Sequence, residues 1–251
     1  MKVVYHERYR EVYSSDPAAQ PGRIEGIYNE LYGQFEFVKP MPASEEDLLL
    51  VHSRGHVEYV RAHQLAYEIA LLAVGGAINA SEIALQGEPA FGLIRPPGHH
   101  ATPNSCWGFC YFNNIAISIE KLRREDKIKN ALIVDIDLHY GDGTANIFQG
   151  VSQVTYFHPD AWNRQAFLDE ISRFLAAWKD KVDIVAVSAG FDRHEQDWGG
   201  MLKTEDYFVI GKMIKEFAER ACNGKRYAVL EGGYNHLVLG KNVKALLEGM
   251  V

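Results

Sequence analysis

The amino-acid sequence predicts an α/β domain in three layers, a mostly parallel sheet with helices on both faces. Three observations carry the prediction. Short apolar runs alternate along the chain with longer amphipathic segments, the order that strand–helix–strand units produce. The runs are near-continuous in Val, Ile, Leu, Ala and aromatic residues, as in strands covered on both faces. No Pro/Gly/Ser-rich linker, low-complexity tract or internal repeat divides the 251 residues, so a single domain over 1–251 is expected.

The elements follow in chain order. Residues 3–6 are a candidate first strand. Residues 23–32, 45–49 and 55–86 carry helical periodicity, the last as one long helix. The runs at 90–94 and 131–136 read as buried strands, with a helix over 114–125 between them. A strand at 153–157 leads through a helix over 165–178 to a strand at 184–188. A helix over 204–221, a strand at 227–230 and a helix over 237–247 close the chain. In the 204–221 segment Phe208, Val209, Met213, Ile214 and Phe217 fall near 3.6-residue spacing, which gives one buried face. Thr204 is placed as its N-cap.

Composition narrows the class. At 47% hydrophobic and 24% charged residues the chain has a core, which excludes a disordered or collagen-like protein. The longest near-apolar stretch, 69–80, is interrupted by Gly75, Gly76 and Asn79 and falls short of the ~20 apolar residues of a membrane span. The N-terminus turns polar by residue 6, without a signal-peptide apolar region. Three cysteines are too few for a disulfide framework and fit a reducing cytoplasm; Cys106 and Cys110 read as small buried residues. A net charge of −7 points away from nucleic acid and weakly toward cationic substrates. The basic run 121–129 is broken by Glu125 and Asp126 and reads as a solvated helix end.

Ligands of parallel sheets bind beyond the carboxyl ends of the strands, and four polar clusters fall there. They are Arg95-Pro96-Pro97-Gly98-His99-His100-Ala101, the segment from Asp135 to Gly143, Ala189-Gly190-Phe191-Asp192, and Glu231-Gly232-Gly233-Tyr234-Asn235. Asp137 and His139, two apart at one strand end, point to the same side. With Asp192 from another strand they make an Asp2His set with open positions, suited to catalytic Zn2+; Fe2+, Co2+ or Mn2+ accept the same donors. Asp135 and Asp142 are placed to orient the imidazoles of His99 and His100. One imidazole can take a proton from an attacking water and return it to a leaving group. Tyr234, on its Gly-Gly turn, can reach a developing oxyanion. His52 and His56, i and i+4 on an expected helix, lack a third ligand and read as surface or packing residues.

Together with the run from Trp107 to Asn114, these motifs resemble the zinc-dependent histone deacetylase superfamily, which includes acetylpolyamine amidohydrolases and acetoin-utilisation proteins. The resemblance runs from about residue 5 to 248 and implies the arginase/deacetylase fold. It implies metal-dependent removal of an acetyl or other acyl group from a primary amine such as acetyl-lysine or an acetylpolyamine. Carried over by position, the metal ligands are Asp137, His139 and Asp192. His99 and His100 are the active-site histidines, with His100 the general base and acid; Asp135 orients the first and Asp142 the second. Tyr234 binds the oxyanion. Phe109 is an aromatic wall of the acyl channel beside Gly108, and the Gly232-Gly233 turn faces substrate. Arg23 matches an arginine near the acetate-release cavity. A K+ or Na+ ion is implied near the 135–139 backbone, where Tyr156 or Phe157 stands at its supporting serine position.

Two departures fall on the pocket rim. The segment before Arg95 lacks the family's acidic rim residue, and 158–164 runs straight into a helix where a longer Pro-Gly-rich loop is usual. Trp162 and Trp198 are candidates to replace the missing walls. Two other functions stay open at this level: an arginase-type ureohydrolase, which needs two metals and more Asp ligands, and a non-catalytic acyl-ligand-binding regulator.

Overall fold

The computed structural model describes residues 1–251. Seven strands form one all-parallel sheet: β1 (Lys2–Val4), β2 (Glu36–Val38), β3 (Ala90–Gly92), β4 (Ala131–Asp135), β5 (Val154–Phe157), β6 (Ile184–Ala189) and β7 (Arg226–Leu230). Their order across the sheet is β2-β1-β3-β7-β6-β4-β5. The nine α-helices are α1 (Arg23–Leu31), α2 (Glu45–Leu48), α3 (Arg54–Arg61), α4 (Gln64–Leu85), α5 (Asn114–Arg124), α6 (Asp142–Ile147), α7 (Arg164–Ala177), α8 (Thr204–Cys222) and α9 (His236–Met250). Helices α4 and α5 pack together on one face; α8 and α9 pack together on the other, with α1 against α9 and α7 against α8. The three-layer α/β fold is the one expected.

The central strands are covered on both faces, so β4, β6 and β7 are buried at every position. The motif-bearing strands β3, β7, β6 and β4 are consecutive in the sheet. Parallel pairing sends all four carboxyl ends to one edge, and register fixes their relative depth: Asp135 pairs with Ser188 and Ala189 with Leu230. The polar clusters therefore meet because the sheet order brings them together, not because they are close in sequence.

Several boundaries differ from expectation. The single helix over 55–86 is two, because His63 adopts φ −103°, ψ 71° and interrupts the ladder between α3 and α4. The short edge strand β2 was not expected; its residues are exposed or half-buried, so no apolar run marks it. The N-cap of α8 is Lys203, one residue early: the Asp206 carboxylate accepts the Lys203 N–H at 2.8 Å. Thr204 instead donates its hydroxyl to Asn242 at 2.7 Å. Helix α4 has the length and apolarity of a membrane span, yet 67% of its apolar window is buried inside the protein, as befits a helix that is apolar on most sides.

His52 and His56 are packing residues, both 3% exposed. His52 lies ahead of the Ser53 cap of α3 rather than on the helix. The two tie down the loop that carries Trp107 to Phe109. Nδ1 of His52 lies 2.9 Å from the Thr102 carbonyl while Nε2 accepts the Asn113 N–H at 2.9 Å. His56 Nε2 lies 2.8 Å from the Tyr111 carbonyl. The accepting Nε2 requires a neutral ring, and burial followed by repulsion from His56 pushes the His52 pKa down to about 3. The unfolded chain therefore binds the extra proton first. Stability is held above the ordinary histidine pKa and lost as pH falls below it, by about 2 kcal/mol between pH 7 and 5 from this group. Urea titrations at the two pH values are expected to show that loss, and His52→Asn to show a slope smaller by about one proton.

Candidate active site

Most expected site residues are delivered by a strand end or the loop after it, while Arg23 and Asp142 come from the first residues of α1 and α6. The β4 turn presents Asp135, Asp137 and His139; the β6 turn presents Asp192; the β3 loop presents His99 and His100; the β7 turn presents Tyr234. One donor atom from each of Asp137, His139 and Asp192 falls within 4.8 Å of the others. His139 Nδ1 lies 3.1 Å from an Asp192 oxygen and 3.3 Å from an Asp137 oxygen. Both carboxylates are almost fully buried, and Oδ2 of Asp192 faces the His139 ring and has no other partner.

That geometry fits a metal. A buried carboxylate oxygen that faces only an imidazole, beside a second buried carboxylate, needs a cation. In the metal-free chain a proton serves: hydrogen bonds to Asp137 and Asp192 raise the His139 imidazole to about 10. Burial and the Asp137 charge push Asp192 above the usual carboxylate range. Desolvation acts on Asp137 too, but the His99 and His139 charges outweigh it and hold it low. The Gly232 N–H braces an Asp137 oxygen at 2.8 Å. A side chain at Gly232 would collide with both carboxylates, its Cβ 2.5 Å from Asp137 Oδ2 and 2.9 Å from Asp192 Oδ2.

The two histidines sit side by side, ring centroids 4.1 Å apart, in different electrostatic surroundings. His99 Nδ1 meets Asp135 at 3.0 Å and its Nε2 lies 3.8 Å from Asp137. Burial opposes its charge, but Asp135 and Asp137 overcome that and raise its pKa well above the ordinary value. His100 Nδ1 meets Asp142 Oδ1 at 2.6 Å. Burial and the neighbouring His99 charge lower its pKa to about 4, so at neutral pH it is a free base. The pair thus divides into a charged and a neutral imidazole.

Tyr234 stands on the β7 turn, its N–H held by Asp197 at 2.8 Å. Its ring stacks on Trp198 at 4.0 Å between centroids, with Phe109 edge-on at 5.9 Å. Burial and the Asp137 charge raise its pKa, which keeps the phenol a hydrogen-bond donor. Arg23, 1% exposed, braces the same turn through the Gly233 and Glu231 carbonyls at 2.8 and 2.6 Å. His99, His100, His139, Tyr234, Phe109 and Trp198 share a chamber of about 110 Å3. Gly108 and Gly232 line it as well, while Gly233 packs toward Leu239 and Phe191. Gly108 has φ +58° and a Cβ there would lie 2.4 Å from His100 Cδ2. Phe109 holds φ +67° without being glycine, a strain that clusters at functional sites.

Of the two wall candidates, Trp198 enters the chamber and lies 6.0 Å from the His139 ring. Trp162 is 90% exposed and lines a neighbouring cavity of about 610 Å3 that shares Trp198. Of three further residues that the structure brings into contact with the site, Trp107 and Asp197 carried no separate role in the sequence, and Tyr156 was expected only beside a monovalent ion. Trp107 stacks on His100 at 4.0 Å and donates its indole N–H to the other Asp142 oxygen at 2.9 Å, gripping both members of that pair. The Tyr156 hydroxyl donates to Asp135 at 2.8 Å. Asp197 ties the Trp198 loop to the Tyr234 turn. The motif containing Trp107 was visible; the partners of the other two are long-range and leave no local signal.

Comparison with known proteins agrees with this architecture. A family model described as histone deacetylase domain matches residues 17–159 and 158–250. A probable deacetylase of Methanothermobacter thermautotrophicus is 33% identical over 265 residues, covering 85% of this chain and 78% of the relative. A probable deacetylase of Archaeoglobus fulgidus is 29% identical over 297 residues, covering 93% and 81%. That alignment is longer than the 251-residue chain, so the relative carries insertions within the shared region. A histone deacetylase-like amidohydrolase of Pseudomonas aeruginosa is 29% identical over 246 residues, covering 77% and 65%. The crystal structure of the HDA15 HD domain superposes with a TM-score of 0.83 at 23% identity, covering 99% of this chain and 90% of that one.

Proposed function

The chain belongs to the histone deacetylase family, and from that premise we propose that residues 1–251 form a single catalytic domain that hydrolyses the amide of an acylated primary amine. The observation that carries this reading is the shared chamber. One free imidazole, one phenol and the exposed edge of a three-donor cluster face the same 110 Å3.

Asp137, His139 and Asp192 would hold a divalent ion, Zn2+ in the first place, with Fe2+ or Co2+ compatible with the same donors. When bound, it supplies Lewis acidity toward the acyl oxygen and toward water. The protein's own groups do the rest. His100, neutral at working pH, takes the proton of the water that attacks the acyl carbon; Asp142 orients the ring and stabilises the imidazolium. His99, hydrogen-bonded to Asp135, packs against His100 and fixes its ring in place. Tyr234 donates its O–H to the oxyanion as it forms. His100 then returns its proton to the departing nitrogen, which leaves as an amine with the acid as co-product. Phe109 and Trp198 exclude bulk water on either side.

The neighbouring cavity supports a cationic leaving group. It presents the exposed faces of Tyr140, Trp162 and Trp198 together with Asp160, whose carboxylate is in no ion pair, and aromatic faces attract ammonium groups; the Arg193 guanidinium in its wall is buried and committed to the Asp137, Leu138 and Pro159 carbonyls. A panel of acetyl-lysine peptides, mono-acetylated diamines, neutral N-acetylalkylamines and longer acyl chains, run with Zn2+ and with Fe2+, tests the proposal. Mono-acetylated diamines are expected to exceed neutral isosteres of equal length by about tenfold in kcat/KM. Turnover of none of these amides by metal-loaded protein would sink the hydrolase reading. A single group of three donors does not favour the two-metal ureohydrolase alternative.

A further inference from the structure

Asp135 and Asp137 at the end of β4 and Asp192 beyond the end of the neighbouring β6 are none of them more than 1% exposed. Carboxylates buried so closely need positive charge on more than one side. The family resemblance implies a monovalent cation against the 135–139 backbone, which would require free carbonyl oxygens there. They are not free. Arg193, 5% exposed, donates from Nε to the Asp137 carbonyl at 2.9 Å. Its Nη2 donates to the Pro159 carbonyl at 3.2 Å and the Leu138 carbonyl at 3.4 Å. His158 Nε2 lies 3.0 Å from the same Asp137 carbonyl. At the expected serine position, the Tyr156 hydroxyl donates to Asp135 and accepts the Gly141 N–H at 2.8 Å. The residues present do not fit a monovalent ion.

We infer that Arg193 replaces that ion: its guanidinium is a built-in cation that fastens the ends of β4, β5 and β6 behind the three-donor cluster, so that the protein needs neither K+ nor Na+. The chemistry suits the task. A guanidinium is permanently charged and its planar fork reaches several carbonyls at once. Arg193 directly follows Asp192, so one side chain couples the backbone of two proposed ligands. Its other face packs over the Phe167 ring at 4.6 Å, which holds the fork in place.

The test compares the metal-loaded protein in K+, Na+ and tetramethylammonium chloride at equal ionic strength, reading Tm and, separately, deacylation rate. The wild type is expected to keep the same Tm within about 1 °C and the same rate within about twofold. A wild-type Tm raised by several degrees, or a rate raised several-fold, by K+ or Na+ overturns the inference. Arg193→Met is expected to become cation-dependent, regaining about threefold or more in rate with K+, whereas Arg193→Lys stays indifferent. A folded Arg193→Met protein that is weakened yet indifferent to K+ would give Arg193 a purely structural role and also overturn it. Should that variant fail to fold, the wild-type series decides alone. Only the rate arm rests on the proposed function; the Tm arm stands without it, so the two readings fail separately.

Discussion

Tyr234→Phe is expected to lower kcat by about 10²- to 10³-fold, the loss seen when one oxyanion donor is removed. The change is conservative where it matters for structure. The phenyl ring keeps its stack on Trp198 and its edge contact with Phe109, and the backbone N–H keeps Asp197. Only the O–H is lost. Because that group acts as charge develops on the acyl oxygen, the loss falls on kcat and leaves KM within about threefold. Steady-state kinetics with Tm as a control decide it. A kcat within about threefold of wild type would remove Tyr234 from the proposed role.

Stripping the metal should have the largest effect of all. Chelation is expected to abolish activity, and one equivalent of Zn2+ per chain to restore it. Asp192→Asn tests the same point from the protein side. It keeps shape but removes the charge whose buried Oδ2 faces only the His139 ring, and it is expected to weaken metal binding by more than about 100-fold. Elemental analysis of the loaded protein reads the stoichiometry. One ion per chain agrees with the three-donor cluster; two tightly held Mn2+ ions would favour ureohydrolase chemistry instead.

The fold class and the strand-end clusters were legible in the sequence because both depend on local pattern. Unbroken apolar runs mark strands buried on both faces, and residues at the end of a parallel strand have one place to go. What local pattern does not record was missed. The break at His63 is a backbone turn inside an otherwise helical composition. Strand β2 is a half-exposed edge held by pairing with β1. Asp206 caps α8 from three residues inside it, whereas the local pattern of a Ser or Thr cap points to Thr204. In the site, Asp137, His139 and Asp192 could be grouped from motif and spacing. The contacts of Tyr156, Arg193 and Asp197 cross from one strand end to another, over 21, 56 and 37 residues respectively. Such distances are closed by sheet order, which no short window contains.

Asp197 has a consequence for anyone who would redesign this protein. One carboxylate oxygen receives the N–H groups of Tyr234 and Asn235, while the next residue, Trp198, lies flat on the Tyr234 ring. Wall and phenol are mounted on one bracket. Carving Trp198 down to admit bulkier acyl groups would also loosen the phenol, so breadth of substrate and speed of turnover are not independent dials. A broader variant that keeps its rate would need a second substitution to brace Tyr234 from elsewhere.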